Sequence, residues 1–357
     1  MNSDEQFMRL ALSEAAKGGS ATWKNPQVGA AIVKNGHLLA TGYHHQYGQI
    51  HAERDAIEKL PKEQLNGATL YVTLEPCSHF GKQPPCSQLI IDSNIALVVV
   101  ACVDPHQVVG GKGIAQLRAA GIKVTVGCLR KAAEELNRHY FYFYRHNRPW
   151  ITAKQALSLD GKVAEAPGRQ TVITNQEARR LVHQERQDYH AIVVGATTVL
   201  TDDPHLLCAT PQLFTPVRAI LDKSGCLGEH PNRFIFTDNS APTWLITTNP
   251  ALKRLPWPAH VSVKVLTTCS WDEILACFAN EELQSLYVEG GPTVLTNLFK
   301  EVPVNQLLTY LDPQIIGAQG LTGVQFPAGT RFEHQIITRL GNNLRIDERN
   351  DDECFLA

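Results

Sequence analysis

Apolar positions along the first 145 residues alternate between two rhythms. Phe7, Leu10, Ala11 and Ala15 recur at helical spacing behind Ser3, a candidate cap, which predicts a helix over 4–18. The apolar run Val28–Val33 predicts a strand. Lys34-Asn35-Gly36 is a turn signal, and a second strand near Leu38–Gly42 completes a hairpin. Beyond it the pattern predicts a helix over His51–Leu60, a strand over Thr69–Leu74, a short helix over Cys86–Ser93 and a buried strand over Ala96–Val103. A helix over Ile114–Ala120 ended by Gly121, a strand over Lys123–Val126 and a last helix over Ala132–Phe143 follow. Helices and strands alternating in this way predict an α/β domain of three layers.

The helical pattern runs out in a basic stretch with a proline at Arg145–Pro149, so two domains are expected, 1–146 and 147–357. The second opens on a strand at Trp150–Ala156. Further strands are predicted near Ala191–Val194, Val217–Leu221, Arg233–Phe236, Thr243–Thr247, Ser285–Glu289 and Gln306–Leu311. Helices are predicted near Asn175–Gln187, Trp271–Asn280 and Thr293–Lys300, a second α/β region.

A chain of 357 residues agrees with two domains, and 43% hydrophobic with 19% charged residues describes ordinary globular protein. The formal net charge of −2 supplies no overall basic field, which argues against nucleic acid as a partner. Asp4 and Glu5 interrupt the start of the chain, so a signal peptide is not expected. The longest apolar stretches, such as Ile95–Val103, are of strand length, so no membrane span is expected and the cytoplasm is the expected compartment. Nine cysteines are scattered along the chain. Seven read as reduced, partly buried thiols, and only Cys77 and Cys86 have a context that argues otherwise.

That context is chemical. His51-Ala52-Glu53 opens a predicted helix, and Glu75-Pro76-Cys77-Ser78-His79 and Pro84-Pro85-Cys86 follow downstream. An imidazole and two thiolates suit zinc, and three protein ligands leave the fourth position of a tetrahedron to water, whose acidity the ion raises. Glu53, two positions after His51, can shuttle protons between such a water and a leaving amine. Zinc deaminases of nucleobases use this layout. Taken singly, His-Ala-Glu and Pro-Cys are weak signals. Two buried thiols, or a structural zinc site completed by His79, are the competing readings.

The loop from Pro76 to Cys86, with eight residues between the cysteines, makes a more specific resemblance. Together with Asn25-Pro26-Gln27-Val28-Gly29 and the stretch from Asp104 to Gly113, it resembles the bifunctional riboflavin biosynthesis proteins of the RibD family over nearly the whole chain. The resemblance implies a cytidine-deaminase-like N-terminal domain and a dihydrofolate-reductase-like C-terminal domain. It implies deamination of a phosphoribosylaminopyrimidine, then NADPH-dependent reduction of its ribose to a ribityl chain. In the first domain it implies a zinc site of His51, Cys77 and Cys86, catalysis by Glu53, and a substrate pocket of Asn25, His44, His79, Lys82 and Asp104. His106 stands where the family more often has Asn.

In the second domain the resemblance rests on Lys154–Gly161, Ile173-Thr174, Ala178-Arg179, Arg186, Thr198–Pro204 and Val288–Thr293. It implies substrate contacts at Lys154, Arg186, Leu206 and Glu289, and cofactor contacts at Ala156, Thr198, Asp202, Gly290, Gly291 and Thr293. Glycines ahead of a helix let backbone approach an anion, and the helix N-terminus favours phosphate. A homo-oligomer is the expected state. The chain departs from the family at Gln170 and Val172, where Ser and Trp are usual, and at Ala209, where an Arg grips the substrate phosphate. Losing such a contact costs about 1.5–3 kcal/mol. Two alternatives follow: a deaminase whose degenerate reductase domain is structural, and a nucleic-acid-editing deaminase, for which the aromatic run Arg138–His146 is the prompting feature. That run reads better as a helix packing aromatic residues.

Overall fold

The chain divides into two units, Met1–Asn147 and Arg148–Ala357. The computed structural model describes residues 3–79, 84–106 and 110–350. In the first unit the elements run α1 (Ser3–Ala15), β1 (Gly29–Lys34), β2 (His37–Tyr43), α2 (Ala52–Ile57), α3 (Lys62–Leu65) and β3 (Thr69–Leu74). They continue as α4 (Cys86–Asp92), β4 (Leu97–Cys102), α5 (Lys112–Ala119), β5 (Lys123–Val126), α6 (Arg130–Leu136) and α7 (Arg138–His146). The strands form one sheet in the order β2-β1-β3-β4-β5, antiparallel at the β1 pairings and parallel from β3 to β5.

Side chains alternate across a strand, and the central strands β1, β3 and β4 are buried on both faces. Ala30, Ile32, Leu70, Val72, Val98 and Val100 face Ala52, Ala56, Ile90 and Leu117 of α2, α4 and α5. Ala31, Val33, Tyr71, Val99 and Ala101 face Met8, Ala11, Ala133, Tyr140 and Phe141 of α1, α6 and α7. These are the three expected layers. The helix predicted over 132–143 is two helices. Asn137 breaks it, leaving helical dihedrals at φ −116° and ψ 30° while its side chain bonds the backbone of Gln27.

The second unit opens with β6 (Trp150–Ser158), β7 (Lys162–Ala164), α8 (Gln176–Glu185), β8 (Ala191–Gly195), α9 (Ala196–Asp202), β9 (Val217–Leu221) and α10 (Phe234–Thr237). Next come β10 (Thr243–Thr247), β11 (Val261–Val265), α11 (Trp271–Ala279), β12 (Ser285–Val288), α12 (Pro292–Glu301) and β13 (Gln306–Asp312). Strands β14 (Leu321–Thr322), β15 (His334–Leu340) and β16 (Asn343–Arg349) close it. The large sheet has the order β11-β10-β9-β8-β12-β6-β13-β16-β15. It is parallel through β13, and β16 and β15 add an antiparallel edge. A separate ladder pairs β14 with β7.

The strand predicted at Arg233–Phe236 is instead the single helical turn α10. Its Ile235 and Phe236 fill the core beside Ile192, Val194 and Ile220, and Asp203 accepts the Phe234 N–H at 2.8 Å. A short apolar run satisfies either geometry, and here the cap decides. Among the described residues no helix is long and apolar enough to cross a membrane.

Candidate active site

His51 is the extended residue ahead of α2, at φ −80° and ψ 161°, and Glu53 lies in the first turn. The start of α2 is pressed onto β2 because position 42 is glycine: a Cβ there would overlap the Ala52 carbonyl. Asp55 secures the same helix, accepting the Tyr43 N–H at 3.1 Å and the Lys59 ammonium at 3.0 Å. Cys77 follows the end of β3, and Cys86 begins α4. The Cys86 N–H points at the Cys77 sulfur, 3.4 Å away. Ser87 ties the two further by donating its N–H and its hydroxyl to the Cys77 carbonyl, at 3.1 and 3.0 Å.

The three donors converge. His51 Nδ1 lies 3.5 Å from Cys77 Sγ and 3.4 Å from Cys86 Sγ. Tetrahedral zinc with ordinary bond lengths separates nitrogen and sulfur ligands by about 3.6 Å, so the donor set fits the ion. The proton pattern agrees. Hydrogen bonding from Cys86, reinforced by His51, pulls the Cys77 thiol down to about 4, while Cys77 and burial push Cys86 up. Burial alone would lower the His51 imidazole, but Cys77 and Glu53 outweigh it and hold it above its ordinary value. Glu53 is 3% exposed, and burial raises its carboxyl to about 7 against the pull of His51.

A cavity of about 310 Å³ opens over this cluster, lined by His51, Glu53 and Cys77 together with Asn25, His44, His79 and Asp104. Lys82 lies outside the described residues. His44 is a fixed neutral imidazole. Its Nδ1–H donates to the Ile50 carbonyl at 2.9 Å, so Nε2 accepts from the Asn25 amide at 3.0 Å, and burial lowers its basicity. That leaves the Asn25 amide oxygen as the acceptor to offer a ligand.

Sequence reasoning passed over Glu75, Tyr140 and Tyr144, and also Lys24, Tyr47 and Gln49, which line the same cavity. Tyr140 and Tyr144 stand four residues apart, on one helix face, a spacing visible within the aromatic run. His106, in place of the family's Asn, packs its ring 4.4 Å from Tyr144.

In the second unit Lys154, Arg186 and Glu289 form one cluster. Arg186 donates Nε and Nη2 to the two Glu289 oxygens at 2.6 and 3.1 Å, and Nη1 to the Leu207 carbonyl at 3.0 Å. Lys154 Nζ stands 3.8 Å from Glu289 and 5.9 Å from the Tyr310 ring centre. Burial pushes the Lys154 ammonium below its ordinary value, while Arg186 and Lys154 hold Glu289 low against burial. Beside this cluster Glu185, unnoticed in the sequence, accepts the Tyr287 and Tyr310 hydroxyls at 2.6 and 2.7 Å and Arg345 Nε at 2.7 Å.

Four of the expected cofactor residues, Thr198, Gly290, Gly291 and Thr293, gather at two helix starts. α9 and α12 follow the neighbouring parallel strands β8 and β12, with Gly195 and Gly291 as their N-caps. Thr198 Oγ1 comes within 4.0 Å of where a Cβ on Gly291 would sit. Free N–H groups there suit a dinucleotide pyrophosphate. Thr293 is exposed in the first turn of α12, Asp202 is half-buried at the end of α9, and Ala156 is half-buried on β6. The Leu206 side chain is packed in the core, so its backbone, at φ 50°, is the part available to a ligand. Gln170, Val172 and Ala209 are exposed.

Comparison with known proteins matches both units. The model of the cytidine and deoxycytidylate deaminase zinc-binding region covers residues 1–102, and that of the RibD C-terminal domain covers 149–346. The riboflavin biosynthesis protein RibD of Aquifex aeolicus is 41% identical over 322 residues, 89% of each chain. That of Escherichia coli is 34% identical over 336 residues, 89% of this chain and 90% of its own. The solved structure of Acinetobacter baumannii RibD superposes with a TM-score of 0.88 at 28% identity, over 98% of this chain and 99% of that one. The diaminohydroxyphosphoribosylaminopyrimidine deaminase/5-amino-6-(5-phosphoribosylamino)uracil reductase of Thermotoga maritima gives 0.86 at 34% identity, with the same coverage. With a deaminase zinc-binding domain and a reductase domain both in place, the chain belongs to the RibD family of riboflavin biosynthesis proteins.

Proposed function

We propose that the chain hydrolyses the amino group from 2,5-diamino-6-(5-phosphoribosylamino)pyrimidin-4(3H)-one and then reduces the ribosyl group of the product to ribityl with NADPH. The observation that carries the first step is the convergence of His51, Cys77 and Cys86 beside a buried Glu53, with His51, Cys77 and Glu53 lining one cavity. These three side chains would hold zinc, which supplies Lewis acidity. Glu53 takes one proton from the attacking water and gives it to the ring nitrogen, then takes the hydroxyl proton of the resulting adduct and gives it to the departing amine, which leaves as ammonia. The Asn25 oxygen accepts from a ring N–H, with His44 fixing the amide. His79 and Asp104 bound the pocket, and Lys82 supplies a cation for the phosphate.

For the second step, the starts of α9 and α12 would hold NADPH through Thr198, Gly290, Gly291 and Thr293, with Ala156 and Asp202 nearby. The cofactor supplies hydride. Lys154 and Glu289 hold the sugar at the reacting end, with Arg186 and the Leu206 backbone shaping the pocket around the phosphate. The retained cluster of Lys154, Arg186 and Glu289 favours an active reductase over a purely structural domain.

Ammonia release and NADPH oxidation, followed separately on the phosphorylated diaminopyrimidine, test both steps. Ammonia without NADPH oxidation would leave only the deaminase.

The partner is a small phosphorylated substrate rather than nucleic acid, which the net charge of −2 and a cavity of about 310 Å³ support. The proposed compartment is the cytoplasm, in keeping with the lack of a membrane-spanning helix among the described residues. We also propose a homo-oligomer. Its support is the edge strand β15, exposed at six of seven positions, with Ile336 and Ile337 each 58% exposed. An apolar edge of this kind is a template for pairing with a second copy.

A further inference from the structure

The break in the aromatic helix has a consequence for catalysis. α7 begins immediately after Asn137, whose side chain imitates a peptide group. Its Oδ1 accepts the Gln27 N–H at 2.7 Å and its Nδ2 donates to the Gln27 carbonyl at 2.9 Å. Gln27 stands two residues after Asn25, so Asn137 pins the segment that brings the Asn25 amide to the cavity. Three residues further along, the Tyr140 hydroxyl donates to Asp104 Oδ1 at 3.0 Å. The His106 N–H reaches the same oxygen at 2.8 Å. Both bonds fall on one oxygen, which fixes the plane of the Asp104 carboxylate. Tyr140 and Asp104 are both 8% exposed.

We infer that Asn137 and Tyr140 are positioning residues of the deaminase, and that α7 with its N-cap sets two parts of the substrate-pocket wall. One residue holds the Asn25 wall and the other holds the Asp104 wall. The Asp104 backbone is secured independently of Tyr140. Glu75 accepts the N–H groups of Asp104, Gly111 and Ile114 at 3.3, 2.8 and 3.1 Å, and a Cβ at Gly113 would overlap the Pro76 carbonyl. Removing the Tyr140 hydroxyl therefore leaves the carboxylate held by the His106 N–H, loosening its orientation without releasing the Asp104 backbone. Among the described residues the hydrogen bonds of these two side chains go to Gln27 and Asp104 and not to the metal ligands, so the loss falls on substrate binding and not on the proton transfers of Glu53.

The inference rests on the deamination reading, and the controls separate the two. Tyr140→Phe and Asn137→Ala are compared with wild type for zinc content, thermal midpoint, and KM and kcat of ammonia release. Tyr140→Phe is expected to fold and hold zinc as wild type does, with KM raised about tenfold and kcat within about threefold, the scale of one lost charge-assisted hydrogen bond. Asn137→Ala is expected to raise KM in the same way, with some loss of thermal stability. An unchanged KM in Tyr140→Phe, or a fall confined to kcat, overturns the inference. Absence of ammonia release from the wild-type protein would instead overturn the deamination reading.

Discussion

Arg186 and Glu289 meet through two nearly parallel hydrogen bonds, with both side chains less than a tenth exposed. A guanidinium matched to a carboxylate in this way is geometrically specific, and in a dry setting neither charge has water to fall back on. Arg186→Met leaves Glu289 with Lys154, at 3.8 Å, and the weaker influence of His183. The expected cost is about 3–5 kcal/mol, because one buried charge loses its partner. Urea unfolding of the full chain measures it in the transition of the C-terminal unit, and NADPH oxidation should fall in parallel. A midpoint equal to wild type would mean that the pair holds nothing in place.

Glu53 separates chemistry from architecture in the first unit. Glu53→Gln keeps the size of the side chain and leaves His51, Cys77 and Cys86 untouched. Zinc content and thermal midpoint should match wild type, while ammonia release falls by about 10²–10⁴, the usual worth of a positioned acid–base group. Cys77→Ser is the complementary variant and should lose zinc itself. Metal analysis of both purified proteins, beside an ammonia assay, distinguishes a catalytic from a structural ion. Full activity in Glu53→Gln would remove this residue from the proton path.

The metal cluster was legible in the sequence because its chemistry is local. His51 and Glu53 are fixed by one helix start, and the cysteines mark one strand-to-helix connection, Cys77 after β3 and Cys86 opening α4, whose position the alternating pattern already defines. β3 matches its expected bounds for a related reason: a strand buried on both faces leaves a nearly unbroken apolar run. The break at Asn137 was hidden because its cause lies 110 residues away, at Gln27. Tyr140 was read as packing because nothing nearby in sequence reveals a bond to Asp104. The β15–β16 hairpin was missed for the opposite reason. β15 is exposed over six residues, so burial imposes no period on His334–Arg339. Val261–Val265 does alternate, and its strand was there to be read.

Ile336 and Ile337 give the hairpin its test. Consecutive strand residues point to opposite faces, so an exposed pair places one apolar side chain on each side of the edge. A charge at either position costs the isolated chain little, since both side chains already face water, and opposes pairing with a second copy. Ile336→Lys and Ile337→Lys, singly and together, should lower the mass measured by analytical ultracentrifugation without shifting the far-ultraviolet spectrum. An assembly that survives the double variant would mean that the copies join elsewhere.

Asp347 makes the acid limb of stability readable. It is 3% exposed and accepts from Gln306 at 2.6 Å, from Arg349 at 3.0 Å on each oxygen, and from Arg345 at 3.2 Å. Burial alone would raise its carboxyl, but Arg349, Gln306 and Arg345 outweigh it and hold the group below its ordinary value. A depressed folded-state value gives a definite sign. The contribution is fully present above the unfolded value of about 3.9, and it is lost as pH falls from there through the folded value. Glu289 is depressed in the same way and titrates in the same direction, so the wild-type curve alone does not isolate Asp347. The difference between wild type and Asp347→Asn does. Urea midpoints at pH 6, 4 and 3 should show Asp347→Asn less stable at pH 6, with the gap narrowing by pH 3. A gap of constant size would assign the loss to packing or hydrogen-bond shape rather than to the charge.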